Sequence, residues 1–147
     1  MRSAPKTYPL EQLFQALADH TRLRLLHLMS RREVCVCYFA QLLEVPQPKI
    51  SRHLAHLRKA GLVTVRREGK WMHYRLAKLG DPVADGILKN ILETLRQDKA
   101  LQWEVSQLEG ARCESKDLVR TRQDRIRHED TVRMHPVREA LRKRQYT

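Results

Sequence analysis

Two thiols stand two residues apart in Val34-Cys35-Val36-Cys37, and thiolate sulfur is a soft donor suited to thiophilic ions. The pair opens an apolar segment, Val34 to Leu43, that reads as a helix. Glu44-Val45-Pro46 ends it, because proline cannot continue a helix and disfavours the α region for the residue before it. On a regular helix residues i and i+2 lie about 200° apart, so two such side chains cannot face one ligand together. Chelation is therefore expected to unwind or distort the first turn. Oxidation to a disulfide or polysulfide is the competing thiol chemistry. A direct Cys35–Cys37 disulfide inside a helix would be strained, so that chemistry calls on Cys113 as partner. The plain alternative is that both are small core side chains.

A second constellation follows at once. In the helix expected over 48–60, Ile50, Leu54 and Leu57 lie at i, i+4 and i+7 and make a buried stripe. Lys49, Arg52, His53 and His56 make a polar stripe on another face, with Gln47 and Ser51 near the N-terminal end. Gln, Ser and Arg hydrogen-bond base edges, while Lys and a helix N-terminus suit phosphates. Taken alone, the same pattern describes a solvated amphipathic helix. It is followed, however, by a hairpin with Arg66, Arg67 and Lys70 at its tip and Arg75 further back, suited to the DNA backbone or minor groove. Trp71 and Tyr74 offer stacking surfaces, although strand alternation favours their packing the hairpin onto the helices.

These residues need elements to hold them. Leu10, Leu13, Phe14 and Leu17 place a helix over 8–18 with one apolar face. Asp19 N-caps a second helix over 20–30. Pro48 suits the first turn of the fourth helix, and Gly61 its C-terminal stop. Leu62–Arg66 and Trp71–Leu76 flank the turn Arg67-Glu68-Gly69-Lys70 as a β-hairpin. Val83, Ile87, Ile91 and Leu95, continued by Leu101, Val105 and Leu108, give one helical periodicity over 82–108. The order helix, helix, break, helix, hairpin is a mainly α winged helix-turn-helix with a β-hairpin wing, whose second helix enters the major groove. The chain divides into a DNA-binding and dimerisation domain, 1–108, and a charged tail, 109–147. That tail is a poor core builder and reads as helical, disordered or ordered only on assembly.

Charge agrees with a polyanionic partner. The chain has 147 residues, with 29 Lys+Arg against 17 Asp+Glu, net +12. Up to residue 80 there are 15 basic and 5 acidic residues, an excess of ten; thereafter there are 14 and 12, an excess of two. The basic excess thus lies with the first part of the chain, which contains the helix and hairpin. Three cysteines, an odd and low number, argue against a disulfide framework. The N-terminus has no apolar h-region, and no apolar stretch approaches the ~18 residues of a membrane span. A reducing, cytoplasmic setting without membrane contact is expected. No Gly-rich phosphate loop, Gly-x-Ser-x-Gly or His-Glu-x-x-His occurs, so no enzyme is expected.

Gln47-Pro48-Lys49-Ile50-Ser51-Arg52-His53-Leu54-Ala55-His56-Leu57-Arg58-Lys59-Ala60-Gly61-Leu62-Val63 resembles the recognition-helix signature of the ArsR/SmtB family. Glu68-Gly69-Lys70-Trp71-Met72-His73-Tyr74-Arg75-Leu76 resembles its wing, and Leu17-Ala18-Asp19-His20-Thr21-Arg22-Leu23 its second-helix opening. The resemblance spans about residues 8–108. It implies a homodimer built from the first and last core helices, binding double-stranded operator DNA of pseudo-palindromic form, with repression relieved by an inducer. The apolar stripes of 8–18 and 82–108 suit such an interface and equally suit an internal core. Cys-Val-Cys resembles the family's arsenic-sensor mark, which implies arsenite or antimonite as inducer, held by three sulfurs in a pyramid. Some members carry a third cysteine where this chain has Ala40. The third sulfur then falls to Cys113 of either subunit, to a small thiol, or to nothing. Because the thiol-bearing helix buttresses the recognition helix, ligand and DNA would favour opposite states reciprocally. A redox- or sulfide-responsive repressor and a constitutive DNA-binding module with structural cysteines are the alternatives. Asp81 and Asp85 lack the histidine partners of a last-helix zinc site. His20, His27, His128 and His135 form no ligand-spaced cluster and read as exposed or helix-end residues.

Overall fold

A computed structural model describes residues 7–109. In order they form α1 (Leu10–Leu17), α2 (His20–Met29), β1 (Val34–Cys35), α3 (Val36–Leu43), α4 (Gln47–Lys59), β2 (Val63–Glu68), β3 (Trp71–Leu76), α5 (Pro82–Arg96) and α6 (Lys99–Glu109). The expected winged helix-turn-helix is present. No helix of the described residues is long and apolar enough to cross a membrane. Cys113, His128, His135 and the tail beyond residue 109 lie outside the described residues.

The boundaries have local causes. Asp19 is extended, and its carboxylate accepts the Arg22 N–H at 2.9 Å, capping α2. Pro48 sits in the first turn of α4, where a missing N–H costs nothing. At the other end Gly61 adopts φ +75°. Its N–H donates to the Arg58 carbonyl at 2.9 Å, and the Leu62 N–H to the Leu57 carbonyl at 3.0 Å. Those paired bonds make a Schellman end, sealed by apolar contact between the flanking residues; Leu57 and Leu62 are both fully buried. Gly69, at φ +58°, starts the two-residue turn between β2 and β3, whose register runs from Val63↔Leu76 to Glu68↔Trp71.

Two segments differ from expectation. Val34–Cys35 is a strand, not a helix start; it pairs antiparallel with β3 through Val34↔Tyr74 and Cys35↔His73, giving the sheet order β1-β3-β2. Two residues are too few to show a period, and their partner lies far along the chain. The 82–108 helix is also two helices, broken at Gln97-Asp98. The Asp98 carboxylate accepts the Ala100 N–H at 2.8 Å and the Leu101 N–H at 3.4 Å, capping α6. It is the same cap signal as Asp19, hidden by an apolar stripe that runs straight through it.

α2 is the central helix. It packs against α1, α3, α4, α5 and α6, and so Leu25, Leu26, His27, Leu28 and Met29 are all buried in succession. His27 is therefore 1% exposed rather than at the surface as expected. On its far side Arg24 Nε donates to Glu104 at 3.0 Å, a mostly buried ion pair that ties α2 to α6. The apolar stripe of α1 divides: Leu13 and Leu17 enter the core, while Leu10 and Phe14 remain exposed. α5 divides likewise, with Ala84, Leu88 and Leu92 inside, Val83 exposed, and Ile87, Ile91 and Leu95 half-buried beside the core.

Candidate functional site

α4 is positioned by its inner stripe, Ile50, Leu54 and Leu57, each fully buried. Docking those three turns the opposite side outward, where Gln47, Lys49, Ser51, Arg52 and His56 are exposed. The helix contains four Lys or Arg residues and no acid, so its outer face is uniformly cationic. Arg58 and Lys59, also exposed, extend that face by a turn. The sequence reading does not single them out, although their charge and their place in the same helix are the available signal. His53 differs from its neighbours on the stripe. It is largely buried, with Nδ1 3.6 Å from the Asp19 carboxylate, and burial lowers its pKa below the usual histidine value. It lies beside the start of α2 instead of on the exposed face of α4.

The wing carries its cations in three different states. Arg66 is held between Glu33 and Glu68, with Nε 3.1 Å from Glu33 and Nη1 2.9 Å from Glu68. The hydrogen bonds from Arg66 keep the Glu33 carboxyl below its ordinary range. Arg67 Nε folds back onto the Gly69 carbonyl at 3.0 Å. Lys70 Nζ sits 4.9 Å above the Trp71 ring, a cation–π contact at the tip. Tyr74 packs against the core as strand alternation favours, and Arg75 is exposed with Nε 3.3 Å from Thr64 Oγ1.

Between helix and wing lies the thiol pair. Cys35 is the extended N-cap of α3 (φ −70°, ψ 141°), and Cys37 lies in the first turn. Because only the second cysteine is helical, the helical angle between them does not apply. Their Sγ atoms are 3.2 Å apart. The expected need to unwind the first turn is thus corrected: Cys35 lies outside the helix, and the two sulfurs are already close. Cys35 is 3% exposed and Cys37 half-buried, so approach is from the Cys37 side. At 3.2 Å the Cys37 thiol contacts the Cys35 sulfur, which puts two soft donors within reach of one ion. Among the described residues no group of three His, Cys, Asp or Glu is placed to hold a metal; Ala40 offers no donor, and Cys113 lies outside those residues. Near the last core helix, Asp81 instead caps α5 through the Val83 N–H at 2.8 Å, and Asp85 accepts the Leu79 N–H at 3.1 Å.

The family model described as "Bacterial regulatory protein, arsR family" matches residues 19–65. The chain is 46% identical over 82 residues to the Arsenic resistance transcriptional regulator ArsR1 of Pseudomonas putida, covering 55% of this chain and 64% of that protein. The chain thus spans less than two thirds of that relative's length. It is 40% identical over 83 residues to the Arsenical resistance operon repressor of Bacillus subtilis, covering 56% of this chain and 76% of the other. Among solved structures, reduced HlyU from Vibrio cholerae is similar at 31% identity and TM-score 0.51, covering 60% of this chain and 85% of that one.

Proposed function

This chain belongs to the arsR family of bacterial regulatory proteins, and on that premise we propose that it is a homodimeric transcriptional repressor that leaves its operator when arsenite or antimonite binds Cys35 and Cys37. The observation that carries the ligand is the 3.2 Å separation of the two sulfurs. The relatives named for arsenic resistance point the same way.

α4 is the reading element. Its 13 residues span about 20 Å at ~10–12 Å overall width, which fits a major groove about 12 Å wide. Arg52, Ser51 and Gln47 are the base-edge contacts, Lys49 and His56 the flanking ones. Arg66, Arg67 and Lys70 reach the backbone or minor groove from the wing, Arg66 by exchanging a carboxylate for a phosphate. Leu10 and Phe14 of α1, with Val83 and the half-buried stripe of α5, supply the face that a second copy covers. Two copies would present two α4 helices to half-sites about one turn, ~34 Å, apart.

The coupling follows from connectivity. Cys35 is hydrogen-bonded into the sheet of the wing, and Cys37 belongs to the helix that packs on α4. An ion that fixes one sulfur to the other fixes the angle between wing and reading helix. Release requires only that this angle differ from the one DNA selects. Cys113 is the in-chain candidate for the third sulfur.

The test is fluorescence anisotropy of labelled DNA from upstream of the gene, titrated with arsenite, then separately with peroxide and persulfide. Release by arsenite alone supports the reading. Release only by the oxidants overturns the ligand and favours the redox repressor, a second reading that the same close approach of the sulfurs supports. Failure to bind DNA at all refutes both.

A further inference from the structure

We propose that a cavity between α2, the end of α5 and α6 binds a protonated tetrahedral oxyanion of the phosphate type. The cavity measures about 260 Å³ and is lined by His27, Arg31, Arg96, Gln102, Ser106 and Glu109, with Val105 at its apolar wall. It lies apart from the thiol pair and from α4.

Three polar atoms around it are buried without a hydrogen-bond partner: His27 Nδ1, His27 Nε2 and Arg96 Nε. Buried polar atoms in folded proteins are nearly always paired, so three around one cavity call for an occupant. The Leu101 backbone is near His27 but completes no hydrogen bond of good geometry. The volume is far above a single water's share of ~30 Å³ and just below the ~300–1,000 Å³ of drug-sized pockets. A small ion fits it.

The donor and acceptor pattern selects the ion. Burial, then Arg96 and Arg31, lower the His27 pKa, so its ring is neutral at pH 7 and presents one donor and one acceptor. Arg96 Nε and the Arg31 guanidinium are further donors. Glu109 is an acceptor, and Gln102 keeps its carbonyl as one, because its Nε2 is committed to the Arg96 carbonyl at 2.6 Å. Arg96 Nη1 is already paired with Glu93 at 3.0 Å, so its Nε is the part of that guanidinium left to the cavity, and Asp98 also acts on His27. A ligand that satisfies these groups accepts several hydrogen bonds, two of them from guanidinium groups that favour an anionic acceptor, and still donates at least one. Phosphate and its isostere arsenate carry O–H groups at neutral pH. Sulfate and simple carboxylates do not.

The experiment is calorimetric titration of the full chain at pH 7 with phosphate, arsenate and sulfate at matched ionic strength, on wild type, Arg96→Met and Cys35→Ser. One site per chain for phosphate or arsenate is expected, with sulfate weaker by about tenfold or more, the loss that goes with an unmade charged hydrogen bond. Arg96→Met should weaken phosphate by a similar factor while keeping its stem packing, and Cys35→Ser should bind as wild type does. His27→Leu should abolish binding; if it does not fold, the Arg96→Met arm still decides. A preference between phosphate and arsenate identifies the source within the supported class. No one-site binding, or equal sulfate binding unmoved by Arg96→Met, overturns the proposal; the second result means diffuse attraction to a basic surface.

Discussion

Replacing Cys35 by serine should raise the arsenite concentration needed to free the DNA by about three to four orders of magnitude. The size comes from the 3.2 Å between the two sulfurs. One group confined within that distance of another has a local concentration on the order of 10 M. A free thiol at about 1 mM that replaced the missing sulfur would work at a concentration ~10⁴ lower. Some of that factor is lost because the substitution would leave Cys37 freer to turn toward other donors. Serine is nearly isosteric and keeps the backbone bonds of β1, so DNA affinity without arsenite should stay as in wild type. The assay is anisotropy of the labelled upstream DNA against arsenite at fixed free thiol, with a thermal melt by circular dichroism to confirm folding. A midpoint shift smaller than about tenfold would mean that the two sulfurs do not chelate together, whatever their spacing. Cys113→Ser measured alongside identifies the third donor if its shift is comparable.

Other perturbations test other parts of the account. Arg52→Ala should weaken operator binding by about 1–3 kcal/mol, the range for a lost base-edge contact, and leave arsenite affinity measured without DNA unchanged; equal operator affinity would remove Arg52 from the reading face. Phe14→Asp places a charge on a side chain that is 53% exposed, so the folded monomer should survive while sedimentation shows loss of the dimer; a dimer of undiminished affinity sinks the α1 interface. Glu104→Ala strands the mostly buried Arg24 guanidinium and should cost about 2–4 kcal/mol in urea unfolding, whereas Arg24→Met/Glu104→Leu should be near neutral; a cost below ~0.5 kcal/mol for the single change refutes burial of the pair. Asp81 accepts the N–H groups of Tyr8, Val83 and Ala84, which hold its pKa below the ordinary 3.8. A depressed carboxyl stabilises above its unfolded pKa and loses that contribution as pH falls through the folded value. Acid unfolding of wild type should therefore steepen below about pH 4, and Asp81→Asn should flatten that limb.

Much of the frame follows from short-range chemistry, and that part is legible in the sequence. The Asp19 cap, Pro48 in the first turn, Gly61 as helix stop, the Ile50, Leu54 and Leu57 stripe and the hairpin around Gly69 each depend on residues within a turn or two of one another. The polar face of α4 follows from its apolar stripe by helix geometry alone, which is why most of its exposed residues can be named without a structure. His53 is not separable from them in this way, because its burial and its approach to Asp19 come only with the packing of α2 against α4. The same holds for His27, a polar residue in a helix surrounded by five other helices and β3. Only folding decides that the α1 stripe divides, because the pattern marks an apolar face without saying which of its residues the core has room for. The thiol pair shows both sides of the division. Two cysteines at this spacing are written in the sequence, and so is their soft-donor chemistry. Their approach to 3.2 Å is not, because it requires Cys35 to be pulled out of the helix by a two-residue strand whose hydrogen bonds go to the wing. That pairing joins segments distant in the chain, and pairing at a distance is what tertiary structure alone supplies.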